Sequence, residues 1–594
     1  MAEKILVCVA WPYASASIHV GNLAGADLPP DIFARYQRLK GNEVLMVSGS
    51  DSHGTPITVR ADQEGRPPRE VFERFHAEFL ETFQKMGLTY DLYTHTDTEN
   101  HHRVAQQLFS RLLENGYLHT RTEAQLYSVN EGRFLPDRYV EGICPNCGYD
   151  GARGDQCENC GKLLNAIELI DPRSRTDGSP PEIRETTHFY LNLPALADRL
   201  IDWLDDDKNH WRPNVINFSR NMVRDLQSRP ITRDLTWGIP VPVEGWEGKC
   251  LYVWFEAVIG YLSATVEWAR NSGQPEKWRE WWYNPQARTV YFIGKDNIPF
   301  HTVIWPAILA GARWLLPEDE GQQLNLPYDV PANEFLNMES RKVSGSRGWA
   351  VWVLDFVSRY DADPLRYYLT ANAPETRDTD FTWEEFVRRN NDELVAAWGN
   401  LANRVLSFAY KHFDKRAPQP GDLDEADQAL LSRIETAFEP VGALLDGCKF
   451  RAALGEVMAL AREVNRYLDE KAPWFQIKAD RAAAATSIYT ALRAIDSLKI
   501  LLTPFLPFSS QALHEMLGYD GCLFGRQYVA TFEEETRSHQ ALCYDPGTLT
   551  ERWQPSQLPP GQPLRTPRPL FKKLEESVVG EELARMAGKQ DGAA

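Results

Sequence analysis

A chain of 594 residues with 43% hydrophobic content is too long for one core and is expected to build about three or four domains. Its formal charge of −19 excludes indiscriminate nucleic-acid binding, although basic patches on particular faces stay compatible with an RNA partner. No apolar run reaches the roughly 20 residues that span a bilayer, and the first residues enter a strand without a signal-peptide layout. The nine cysteines are therefore expected as thiols or metal ligands of a cytoplasmic enzyme, with no membrane partner.

The run Ile5–Ala10 reads as a buried parallel strand. Ser17-Ile18-His19-Val20-Gly21-Asn22 follows it and opens helical segments at Val20–Ala26 and Pro30–Lys40. A second strand, Val44–Val47, ends at Ser48-Gly49-Ser50-Asp51, and helices are expected over Pro68–Met86 and Asn100–Asn115. Strands alternating with amphipathic helices imply a parallel sheet covered by helices, whose ligands bind beyond the carboxyl ends of the strands. His19 and Asp51 stand there. From Tyr117 to Trp237 short strands, turns and a cysteine group indicate an insertion. The α/β pattern resumes with a strand at Leu251–Phe255, a helix to Ala269, and a strand at Thr289–Ile293 capped by Gly294-Lys295-Asp296. Beyond Thr382, Trp383–Phe408, Ala426–Leu445, Phe450–Tyr467 and Ala482–Leu502 are amphipathic at helical spacing and read as a bundle. The fold class is thus α/β: a Rossmann-like parallel sheet split by a connective insertion and followed by an all-α bundle. The expected boundaries are a first catalytic half at 1–116, the insertion at 117–237, a second half at 238–335, a basic-loop region at 336–382, the helical domain at 383–545 and a loosely attached tail at 546–594.

Three motifs carry chemistry. His19, Gly21 and Asn22 open a helix after a strand, where free N–H groups and the positive dipole end suit phosphate, and Gly21 would let a flat base approach. In Arg341-Lys342-Val343-Ser344-Gly345-Ser346-Arg347 a mobile loop offers cations and hydroxyls to a developing pyrophosphate. Cys144-x-x-Cys147 and Cys157-x-x-Cys160 have the spacing of a structural zinc knuckle, since four thiolates leave no open position for catalysis.

The first two motifs resemble the paired HIGH and KMSKS signatures of class I aminoacyl-tRNA synthetases. Ala10-Trp11-Pro12-Tyr13, Asp51-Ser52-His53-Gly54-Thr55-Pro56, Phe134-Leu135-Pro136-Asp137-Arg138, Ile231-Thr232-Arg233-Asp234, Tyr252-Val253-Trp254-Phe255-Glu256-Ala257 and Phe292-Ile293-Gly294-Lys295-Asp296 are similar to the methionyl-tRNA synthetase pattern, from about Lys4 to Leu506. The resemblance implies an enzyme that activates L-methionine with Mg²⁺-ATP and transfers it to tRNA(Met). It implies that Asp51 pairs the amino-acid ammonium, that Trp11, Tyr13, Trp254, Tyr261 and His301 surround the thioether, and that Gly294 and Asp296 lie near the ATP ribose. His19, Asn22, Lys342, Ser344, Ser346 and Arg347 are then the catalytic set, with His19, Gly21, Asn22 and Lys342 on ATP. Cys144, Cys147, Cys157 and Cys160 would hold one structural Zn²⁺ per chain, and Asn400, Arg404 and Trp474 would read the anticodon. The chain after the bundle is too short for the family's optional C-terminal OB-like domain, so a monomer is expected.

Two positions depart from the family pattern. Asn22 stands where a second His is usual, and Gly345 replaces the second lysine of the basic loop. Either Arg347 supplies the missing cation or Lys342 works with Ser344 and Ser346. These departures motivate a second reading, a paralogue that binds tRNA or methionine without charging. Arg220, Arg224, Arg229 and Arg233 meet either an acceptor stem or solvent and internal partners.

Overall fold

The computed structural model describes residues 2–591 apart from 137–138, 155–156, 158, 161, 163, 342, 344–348, 548 and 550. Its central sheet has seven strands: β1 (Lys4–Val9), β2 (Glu43–Ser50), β3 (Leu92–His95), β4 (Arg288–Gly294), β5 (Ala332–Asn333), β6 (Arg526–Glu533) and β7 (Ser538–Asp545). They lie in the order β5-β4-β1-β2-β3-β7-β6. The five strands from β5 to β3 are parallel, so the turns after β1, β2, β3 and β4 leave the sheet at one edge. Side chains alternate across it. Ile5, Val7 and Val9 join a core that runs without a break into the helical domain, whereas Leu6 and Cys8 join one beneath the other face.

The insertion is a long antiparallel pair, Leu118–Ser128 with Glu182–Leu191, bearing a small three-stranded sheet of Val140–Ile143, Asp150–Arg153 and Ile170–Ser174. Its later part belongs to the catalytic body. Leu200, Leu204, Val215 and Val223 pack in the core shared by Leu6 and Cys8. Leu251–Phe255 is not a strand: only Cys250–Leu251 pairs, and Val253–Glu256 is helical. A short apolar run is buried equally well either way, and periodicity cannot separate the two.

The helical domain holds the expected helices, including Phe450–Lys471 and Arg481–Leu502, and helix gives way after Met516. Residues 526–545 form the hairpin β6–β7, and β7 adds antiparallel to β3. The C-terminal part of the chain thereby completes the catalytic sheet. The tail is docked as well. Trp553 donates to the Phe438 carbonyl at 3.0 Å, and the helix Ser577–Asp591 brings buried Glu582 onto Arg359 and Tyr360 at 2.8–3.0 Å.

One buried cluster ties these parts together. The Asp31 carboxylate, wholly buried, accepts from Arg35 Nε at 2.9 Å and Arg366 Nη2 at 2.7 Å, and from the main-chain and hydroxyl donors of Thr89 at 2.8 and 2.7 Å. Arg366 also donates to the carbonyls of Met86, Pro504 and Phe505, so one guanidinium bridges the sheet-covering helices and the bundle. Burial alone would raise Asp31, but Arg35 and Arg366 hold it down at about 2. Its folded-state affinity for protons is below the unfolded value, so its contribution is present above the ordinary carboxylate range and is lost as pH falls from about 4 toward about 2. Asp31→Asn leaves Arg366 buried without a counter-charge and is expected to cost about 3–5 kcal/mol. Urea unfolding at neutral pH measures this loss, and the gap to wild type should narrow in acid.

Candidate active site

His19 caps the short helix Val20–Asn22. Its Nδ1 accepts from the Asn22 N–H at 3.2 Å, and Asn22 Oδ1 accepts from the His19 N–H at 3.1 Å. Burial pushes the imidazole down to about 4, so the ring is neutral and, with Nδ1 accepting, carries its proton on Nε2. Asn22 commits its carbonyl to the turn, and its amide has no partner among the described residues. Gly21 makes room for the histidine: a Cβ there would stand 3.0 Å from the His19 ring.

The basic loop starts and ends beside this turn. Val20 N–H donates to the Val351 carbonyl at 3.0 Å and Val353 N–H to the Ile18 carbonyl at 2.9 Å. Trp349 Nε1 donates to the Met338 carbonyl at 3.1 Å, and the Arg341 guanidinium covers the Trp349 ring at 5.0 Å. Both ends of the loop are pinned together next to His19. Lys342, Ser344, Ser346 and Arg347 lie outside the described residues.

Beyond β1 and β2 the predicted aromatic residues converge. Trp11 fits a slot between Gly49 and Gly260, where a Cβ would stand 2.2 and 2.6 Å from the indole. Tyr13 occupies the space above Gly54, where a Cβ would meet its ring at 2.1 Å. Trp254 stacks on Phe300 at 4.2 Å and meets Tyr13 edge-on at 6.1 Å. Tyr261, edge-on to Trp11 at 6.4 Å, is 2.7 Å from His301 Nε2. His301 Nδ1 faces the Asn297 carbonyl at 2.9 Å, which accepts only, so Nδ1 bears the proton and Tyr261 donates to Nε2. Burial pushes His301 down to about 4, which keeps this arrangement neutral. Gly294 and Asp296 follow β4 at the same edge of the sheet; the space above Gly294 is open and Asp296 is exposed.

Under this pocket lies a charge network that motif reading missed. Asp51 is buried and accepts from the His53 N–H at 3.1 Å. His53 spans Glu256 (Nδ1, 3.0 Å) and Asp97 (Nε2, 3.5 Å), and His101 Nε2 meets the other Glu256 oxygen at 2.7 Å. Burial and the Glu256 charge push Asp51 well above the ordinary carboxylate range against the pull of His53. Burial would likewise raise Glu256, but His53 and His101 pull it down to about 2. For His53 burial acts downward, and Glu256 and Asp97 outweigh it, holding the imidazolium up to about 9. His53 and Glu256 stand inside quoted motifs, so the residues were visible while their pairing was not.

A cleft of about 630 Å³ opens from Tyr13, His53 and Trp254 toward the insertion strand at Arg121–Leu126 and toward Arg233 and Tyr252. The arginine cluster is divided. Arg233 covers Tyr252 at 4.0 Å, Arg220 pairs with Asp205 at 2.9 Å, and Arg224 and Arg229 are exposed.

Residues 5–406 match the family model described as tRNA synthetases class I (M), and residues 417–541 match the model described as the anticodon binding domain of methionyl tRNA ligase. The chain belongs to the class I methionyl-tRNA synthetase family. Among curated relatives it is 58% identical to the methionine–tRNA ligase of Thermomicrobium roseum, covering 99% of both chains. It is 55% identical to that of Chloroflexus aggregans, covering 99% of this chain and 100% of the relative. The crystal structure of Mycobacterium tuberculosis methionyl-tRNA synthetase bound by methionyl-adenylate shares the fold, with a TM-score of 0.74 at 24% identity over 96% of this chain and 100% of that one.

Two further sites complete this synthetase-family chain. The four cysteines are free thiols whose sulfurs lie within 4.8 Å of one another. Cys144 and Cys160 are 3.9 Å apart, and Cys147 and Cys157 3.6 Å. Four sulfurs at about 2.3 Å from a tetrahedral zinc are about 3.8 Å apart, so the set fits that ion. Asn146 donates to the Cys160 sulfur and Asn159 to that of Cys147. In the helical domain Arg404 covers the Trp474 indole at 4.8 Å and reaches Asp469 at 3.5 Å. Asn400 lies one turn before Arg404, and Asp469 lines an open groove with Arg462, Asn465 and Arg466.

Histidine ¹⁵N NMR should find His301 as the less common Nδ1–H tautomer and should find both His301 and His19 still neutral near pH 5. Protonation of His301 near the ordinary histidine value would contradict the Tyr261–His301–Asn297 chain.

Proposed function

We propose that this chain is a methionine–tRNA ligase that activates L-methionine with ATP and esterifies tRNA(Met) for translation in the cytoplasm. The observation that carries the reading is the convergence of Asp51, the Trp11–Tyr13–Trp254–Tyr261–His301 pocket and the His19 turn at one edge of a parallel sheet, beside the ends of the basic loop. Asp51 is the partner for the substrate ammonium. An incoming cation there offsets the Glu256 charge, which favours ionised Asp51. The thioether packs among the rings, each contact being worth roughly 0.3–1.5 kcal/mol. Tyr261, whose hydrogen is held by His301, keeps its oxygen as an acceptor and adds a polar test to an otherwise apolar pocket.

With the amino group held, the substrate carboxylate attacks the α-phosphate of ATP, which brings Mg²⁺ with it. The bond from the α-phosphorus to the bridging oxygen breaks and pyrophosphate leaves. The His19 Nε2–H and the Asn22 amide are donors for the phosphates, and Lys342 with Ser344, Ser346 or Arg347 takes up the charge that develops on pyrophosphate. Gly294 and Asp296 receive the ribose. In the second step the ribose hydroxyl of the terminal tRNA adenosine attacks the mixed anhydride, and AMP leaves. No side chain becomes a covalent nucleophile, so catalysis rests on positioning and charge stabilisation. Asn400, Arg404 and Trp474 read the anticodon, amide and guanidinium on base edges and the indole by stacking. The cysteine cluster holds one structural zinc; metal analysis of purified protein should read one zinc per chain, and a metal-free folded protein would refute it.

The two half-reactions separate the sites. ATP–pyrophosphate exchange across a panel of amino acids should respond to methionine, and tRNA(Met) should then be charged. Lys342→Ala should slow exchange by about 10–150-fold, the value of one charge-assisted hydrogen bond made at the transition state, with little change in methionine affinity. Trp474→Ala should leave exchange intact and depress charging. Exchange without charging of any tRNA would favour the non-charging paralogue, and no exchange with methionine would end the proposal.

A further inference from the structure

The network beneath Asp51 does not end in the catalytic halves of the chain. Asp97, in the turn after β3, is buried, and its Oδ2 is held by Arg537 Nη1 at 2.9 Å and by Arg69 Nη1 at 2.7 Å. Arg537 Nη2 also donates to the Asp97 main-chain carbonyl. Arg537 stands in the turn between β6 and β7, more than 430 residues away in sequence. That turn is fixed independently, because the Glu99 carboxylate accepts from the main-chain N–H groups of Glu535 and Thr536 at 2.8 and 2.9 Å.

Fixing Oδ2 aims Oδ1 inward, where it faces His53 Nε2 at 3.5 Å and His102 Nε2 at 3.4 Å. His53 is then gripped at both ring nitrogens, by Glu256 and Asp97, and its own N–H holds Asp51 Oδ1. Taking the methionine reading as the basis, we propose that Arg537 is a positioning residue of the ammonium site, acting from the C-terminal hairpin through Asp97 and His53 on Asp51. The hairpin is thereby part of the methionine site although it touches no substrate.

His53, Asp97 and His102 also place potential ligand atoms within 4.8 Å of one another, but a metal there is disfavoured by two guanidiniums already on Asp97. The groups facing His53 are Glu256, Asp97, Asp51 of its own turn, His102 at 5.5 Å and Trp237 at 5.6 Å. Those around Asp97 are Arg69 and Glu73 of the helix Pro68–Met86, His102, His53 and Arg537. Arg537 has two further acidic neighbours, Glu534 at 3.5 Å and Glu99, whose charge it also feels.

The sign of one titration decides the matter. Removing a nearby cation, if nothing moves, makes His53 hold its proton more tightly. Losing the aim of Asp97 makes it hold the proton less tightly. In full-length protein labelled with ¹³C-histidine, with His53 assigned by its loss in His53→Gln, Arg537→Met should lower the His53 titration from about 9 by at least about tenfold in proton affinity. In pyrophosphate exchange the same variant should raise KM for methionine about tenfold, with kcat and KM for ATP little changed, and Arg537→Lys should restore most of both effects. Glu99→Gln loosens the same turn without touching Asp97 and should leave His53 where it is. A His53 titration that rises or stays in Arg537→Met, or an equal fall in Glu99→Gln, overturns the proposal. If Arg537→Met does not fold, Arg537→Gln is read by the same criteria. Absence of methionine-dependent exchange in wild type would sink the functional reading, while the titration would still judge the Arg537–Asp97–His53 link.

Discussion

Two main-chain hydrogen bonds between Ile18–Val20 and Val351–Val353 are the constraint on which the site depends. They join segments more than 300 residues apart and fix both ends of the basic loop against the His19 turn. Trp349 and Arg341 close the base of that loop. Loop-closure entropy for so long an intervening chain would be prohibitive for an isolated pair of hydrogen bonds. It is offset because the intervening residues fold into the second half of the parallel sheet, which leads the chain back to the same edge.

The parallel sheet accounts for the rest of the placement. Strands that run the same way deliver their following turns to one edge, so residues after β1, β2, β3 and β4 become neighbours regardless of sequence distance. The glycines at 49, 54 and 260 then admit the rings of Trp11 and Tyr13, which no Cβ would allow. Beneath them, charges that would be costly alone share partners. Glu256 stays ionised because two imidazoles bind it, and its charge together with burial is what raises Asp51. A cation placed there would relieve the repulsion between the two carboxylates.

The C-terminal domain is a structural partner of this edge and does more than add an anticodon platform. The Asp31–Arg366 cluster, the continuous core and the hairpin β6–β7 all cross from one to the other. Arg366 is fully buried and bonds carbonyls on both sides, so the two parts are held by groups that neither can satisfy alone.

Local chemistry is what the sequence by itself determined. The apolar runs of β1, β2 and β4, the long amphipathic helices, the paired Cys-x-x-Cys spacing and the two distant motifs are each readable within a few residues, because periodicity and ligand spacing are local properties. Leu251–Phe255 could not be read correctly, since a short buried run has no period to distinguish strand from helix. Only the tertiary structure decided that Gly21 makes room for His19, that the hairpin at 526–545 belongs to the catalytic sheet, and that Arg537 reaches Asp97. Those facts depend on which buried charge and which sheet edge remain unsatisfied once everything else has packed, and no segment carries that information alone.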